Sequence, residues 1–70
     1  MISEQSPKTP EEQYRLAEKS RDRKEFDRAL HWFRQAAEQG HPPSCWRIGE
    51  AYARGEGVER NYSVAKEWYI

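Results

Sequence analysis

Seventy residues allow one domain at most, and a core of that size rarely leaves more than about 3–5 kcal/mol of net stability, which argues against deeply buried chemistry. Twelve basic side chains balance twelve acidic ones, so no net field draws the chain to nucleic acid or anionic lipid. The N-terminal residues contain no apolar signal region, no run approaches the ~18 apolar residues of a membrane span, and a lone cysteine forms no internal disulfide, so a cytoplasmic protein is the expectation.

In chain order, residues 1–8 are polar and broken by proline, and are expected to form a disordered tail ahead of a folded domain over 9–70. In "TPEEQYRLAEKSRDR", Thr9 stands as N-cap, Pro10 at the first helical position and Glu12 where a capping box needs it, which predicts a first helix over 10–22. Phe26, Ala29, Leu30, Phe33, Ala36 and Ala37 recur at helical spacing in a second segment, and Gly40 follows as a left-handed stop. A third helix opens on Pro42 and Pro43, with Ser44 expected to help cap it. It carries Cys45, Ile48 and Tyr52 along one stripe and ends at Gly55. Asn61 is placed to cap a fourth helix, "YSVAKEWYI", in which Tyr62, Ala65, Trp68 and Tyr69 share a face.

Three features invite chemical readings. The pair Gly55 and Gly57 could be taken for a phosphate cradle, but a cradle follows a strand and opens onto a helix N-terminus, whereas this pair follows a helix. It is read as a turn, with positive φ at both glycines and Val58 tucked back between the helices. His41 and Cys45 are four apart, yet the intervening prolines place His41 ahead of the helix, and two ligands do not make a metal site. Nothing orients His41 as the base of a Cys–His nucleophile or supplies an oxyanion site. The run Arg21 to Lys24 is read as interacting with the helix dipole and solvating a turn. The chain is therefore expected to be no enzyme, with no cofactor and no metal.

Internal similarity reduces four helices to two copies of one unit. At an offset of 32, Tyr14–Glu18 aligns with Trp46–Glu50; at an offset of 36, Ala29, Trp32 and Phe33 align with Ala65, Trp68 and Tyr69. The change of offset places an insertion within "ARGEGVER". Ile48-Gly49, Tyr52, Gly55, Gly57, Val58, Ala65, Trp68 and Tyr69, together with "AAEQG" at Ala36 to Gly40, resemble the Sel-one-like subclass (SLR) of the tetratricopeptide-like helical repeats. Leu16-Ala17, Ala29, Phe33 and Ala36 resemble an ordinary tetratricopeptide repeat. Asn61, Val64 and Ser44-Cys45 depart from the usual residues.

The resemblance implies an all-α fold of two stacked antiparallel helix hairpins, repeat one at about 10–41 and repeat two at about 42–70, with the second C-terminally incomplete. It also implies a concave surface built by the first helix of each repeat. Tyr14 and Trp46 lie off the predicted core stripes Gln13-Leu16-Ala17-Ser20 and Cys45-Ile48-Gly49-Tyr52. With Glu18, Arg21, Glu50 and Arg54 they form the expected partner-binding set for a protein or peptide. Packing of Trp46 on Tyr14, with nothing bound, is the alternative. A second functional expectation is self-assembly, a homodimer or a pairing with a supplied helix, through Trp68, Tyr69 and Ile70. A weaker third is an RNA-binding repeat using Arg15, Lys19, Arg21 and Arg47, against which the zero net charge counts.

Overall fold

The computed structural model describes residues 8–69, whose regular elements are four helices: α1 (Pro10–Asp22), α2 (Phe26–Glu38), α3 (Pro42–Arg54) and α4 (Tyr62–Tyr69). Among the described residues there is no strand, and the helices pair as the two stacked hairpins of an all-α repeat. Seven residues of the expected N-terminal tail, 1–7, and the self-association residue Ile70 lie outside the described part.

The capping box forms as its spacing requires. Thr9 Oγ1 accepts the Glu12 N–H at 3.2 Å, while Glu12 Oε1 accepts the N–H groups of Lys8 and Thr9 at 3.1 and 3.3 Å. These backbone bonds favour the ionised carboxylate and hold Glu12 below the usual carboxylate range. From this start, α1 lays the fully buried Ala17, with Gln13 and Ser20, against Ala29, Leu30, Phe33 and Ala36 of α2. At the far end Gln39 Nε2 donates to Gln13 Oε1 at 2.8 Å, which ties the exit of α2 to α1.

After Gly40 turns the chain at φ 80, His41 becomes the N-cap residue of α3, with no side-chain cap bond. The expected capping role of Ser44 is corrected here: its hydroxyl is fully buried and lies 2.7 Å from His41 Nδ1. The stripe also shifts. Ser44, Ile48, Gly49 and Ala51 are the buried positions, while Cys45 and Tyr52 are half-buried. The cause is that α3 packs on two neighbours, α2 and α4, so its covered surface is wider than one stripe.

The glycine turn is structural. Gly55 stops α3 at φ 73, its N–H donating to the Ala51 carbonyl at 2.7 Å. Gly57 takes φ 82 against the start of α2, where an added Cβ would stand 2.8 Å from the Phe26 carbonyl oxygen. Val58 packs on the core from the same loop, and Asn61 Oδ1 accepts the Val64 N–H at 3.1 Å to cap α4. Tyr62 departs from its expected face. As the first residue of α4 its side chain points back toward the loop, exposed, with the Arg60 guanidinium 5.3 Å from its ring centroid. Ala65 is buried, and Trp68 and Tyr69 are half-buried.

Candidate partner-binding site

The first helices of the two hairpins, α1 and α3, meet mainly through long side chains, and Arg47 is their hub. Its Nε lies 2.7 Å from Glu18 Oε2 and 3.3 Å from the Tyr14 hydroxyl, and one terminal nitrogen lies 2.9 Å from Glu50 Oε1. Partial burial works against the charge, but hydrogen bonds to Glu50 and Tyr14 and the field of Glu18 outweigh it and hold the guanidinium above its ordinary value. Arg21 extends the ladder, 3.5 Å from Glu50 and 3.7 Å from Glu56, and Arg54 closes on Glu50 at 3.7 Å. Three cations and three carboxylates alternate across one surface, so the ladder carries no net field and is partly screened by solvent.

The structure thus brings Tyr14, Glu18, Arg21, Glu50 and Arg54 together and leaves Trp46 beside them on α3. Two residues that join them are absent from the set expected on sequence. There Arg47 figures only as an RNA contact, and Glu56 only as part of a turn. The signal for Arg47 is present in the sequence, three residues before Glu50 on one helix, but its reach to Glu18 depends on how the hairpins stack. Arg21, expected as a dipole partner, instead crosses to the second repeat.

The aromatic residues need a correction. Tyr14 is half-buried, 5.6 Å from the Phe33 ring and 5.1 Å from that of His41, so it packs between the repeats and does not stand clear of the core. Trp46 packs 4.8 Å from Tyr69 and remains 59% exposed. Each ring therefore sits on the second helix of its own repeat, and the alternative of a Trp46–Tyr14 stack is not what forms. Gly49 permits the second contact, since an added Cβ would lie 2.5 Å from the Tyr69 ring.

The crevice between the repeats, lined by Arg21, Phe26, Leu30, Phe33, Arg47 and Ala51, holds only about 10 Å³, too little for a small-molecule ligand. Among the described residues no three His, Cys, Asp or Glu side chains gather as a metal group would, and no helix is long and apolar enough to cross a membrane.

The family model described as the Sel1 repeat matches residues 13–41 and again residues 42–70. The chain belongs to the Sel1 repeat family. Sel1 repeats generally mediate protein–protein interaction and are a non-enzymatic interaction family. Two curated proteins share parts of this Sel1 chain. One, of Arabidopsis thaliana, is the ERAD-associated E3 ubiquitin-protein ligase component HRD3A, 54% identical over 35 residues, covering 50% of this chain and 5% of that protein. The other is the uncharacterized protein NMB1327 of Neisseria meningitidis serogroup B, 38% identical over 39 residues, covering 56% of this chain and 8% of that protein. The Sel1 chain thus spans less than a tenth of the length of either relative.

Proposed function

We propose that this Sel1 chain is a binding module that takes a peptide or partner protein on the concave face of α1 and α3, through Tyr14, Glu18, Arg21, Trp46, Glu50 and Arg54. The observation that carries the reading is Trp46, 59% exposed beside an alternating ladder of charge. A large aromatic with a charged surround is the usual make-up of an interface anchor, while the ladder supplies orientation more than affinity. The proposed role involves no bond-breaking step, no metal and no cofactor, and the proposed setting is cytoplasmic. HRD3A, with a similar segment, is by its description a component of a larger ligase, the kind of assembly in which such a module serves.

The test is affinity capture with wild type and Trp46→Ala side by side, followed by binding of the captured protein to the purified chain. Loss of binding by at least about 2 kcal/mol in a chain that still melts cooperatively is the expected result. Unchanged binding, or loss only together with unfolding, would return Trp46 to a structural role. A second reading, self-association through the C-terminal helix around Trp68 and Tyr69, is favoured by the apolar Trp46–Tyr69 surface. Sedimentation of wild type against Trp68→Glu tests it, and a wild type that stays monomeric over a wide concentration range removes it. The RNA reading loses support because Arg21 and Arg47 are already paired with carboxylates.

A further inference from the structure

An open groove of about 400 Å³ lies between helix α2 and the Gly57–Val58 loop, so that one wall comes from each repeat and both walls are part of the described chain. It shares no residue with the α1–α3 ladder. Stacking of a preceding repeat leaves its rim open: Ser63 and Glu67, which stand on α4 where Asp27 and His31 stand on α2, are exposed although repeat one is stacked beside them. Leu30 and Val58 give the groove an apolar patch, and next to it Arg34 is held from the second repeat, its Nη2 donating to the Tyr52 hydroxyl at 2.8 Å. That partner is neutral. Arg34 is exposed and, among the described residues, engages no carboxylate, whereas Arg21, Arg47 and Arg54 are all paired with acids.

We infer that this groove takes an extended segment of a partner protein in which an acidic side chain meets Arg34 and an aliphatic one, two residues away, covers Leu30 and Val58. The spacing makes the match: one turn of α2, from Leu30 to Arg34, advances about 6 Å, and alternate residues of an extended chain advance about 6.6 Å. A guanidinium already held by Tyr52 also gives up less freedom to a carboxylate than an untethered one would. The turns on either side are acidic, with Asp27 just before Leu30 and Glu38 one turn after Arg34. The whole row is therefore answered by cation, aliphatic, acid and cation at alternate positions of the partner. A uniformly acidic segment meets like charge at both ends and is rejected. This surface is additional to the concave one and does not depend on it.

The probe is the end-capped peptide Lys-Ser-Leu-Ser-Glu-Ser-Lys, made in this order and in reverse because either chain direction satisfies the row, and titrated into the isotopically labelled full chain. Saturable shifts of the Val58 methyls and the Arg34 side-chain N–H are expected with one order, at least about threefold tighter than with glutamine in place of the peptide's glutamate. Arg34→Glu in the chain should remove that preference, and a peptide with lysine in place of the glutamate should then bind more tightly than the glutamate one. Tyr52→Phe should shrink the ratio between the glutamate and glutamine peptides, a ratio that partial loss of stability does not move. Equal binding of the glutamate and glutamine peptides, no saturable shift with either order, a ratio unmoved by Arg34→Glu, or shifts confined to Glu18, Arg21 and Trp46 would overturn the assignment. Concentration-dependent shifts of Val58 in the unliganded chain would overturn it as well, because the groove would then belong to a second copy. The concave-face reading is decided separately by the Trp46→Ala capture experiment.

Discussion

Gly57 and Gly40 both take positive φ, but only Gly57 approaches another backbone, the carbonyl of Phe26. Alanine at either position costs about 1 kcal/mol for its backbone conformation, and at Gly57 the clash with a rigid carbonyl adds to that. In urea denaturation Gly57→Ala is therefore expected to lie below Gly40→Ala, which has no atom within 4 Å of its added Cβ. Equal losses would show that the loop shifts freely off α2. Glu12 supplies a second test. Its folded-state pKa is depressed, so its contribution is fully present above the ordinary carboxylate range and is lost as pH falls through the folded value. Glu12→Gln should flatten the acid side of the stability profile and leave the neutral side less stable than wild type; an unchanged acid slope would mean that the capping box does not persist in solution.

Helix α3 links the two hairpins, packing on α2 from one side and on α4 from the other. Ile48, fully buried, joins Ala51 against Leu30 and Phe33, while Gly49 admits Tyr69 from the other side. Truncating Ile48 to alanine typically costs about 2–5 kcal/mol, comparable to the whole stability of a domain this size. Circular dichroism of Ile48→Ala is expected to show a largely unfolded chain at 37 °C, and a cooperative melt close to wild type would contradict the packing described. Between α1 and α3 the bonds are ionic. Arg47→Met keeps the stem and removes the charge, so it should lower stability by about 1 kcal/mol and remove much of the salt dependence of melting. Melting as salt-sensitive as wild type would place the ladder's energy elsewhere.

At the scale of the molecule, the chain is a thin slab of 45 × 24 × 14 Å in which stability passes from hairpin to hairpin through the α2–α3 contact. In such an array each element is as secure as its neighbours make it. Helix α4 packs chiefly on α3, whereas α2 and α3 each pack on two neighbours. Its amides are expected to exchange faster than those of α2 and α3. Protection spread evenly over the four helices would show a single cooperative unit instead.

The sequence by itself determined the local structure: the capping box at Thr9 and Glu12, the left-handed stops at Gly40 and Gly55, and the helical spacing through Leu30 and Phe33 all depend on neighbours within about one turn. Internal similarity then reduced the four helices to two copies of one unit, and the resemblance of that unit to a helical-repeat family implied stacked hairpins. Which way Tyr14, Trp46 and Arg47 face was decided only by the tertiary structure. Stripe analysis assigns a helix one partner, whereas α3 has two, so Ser44 and Ala51 are covered where a single stripe predicts Cys45 and Tyr52. Long side chains such as Arg47 and Arg21 reach across a gap whose width no local rule contains. The turn at Gly57 divides the same way: its φ follows from glycine alone, but its contact with Phe26 exists only because the second hairpin lies against the first.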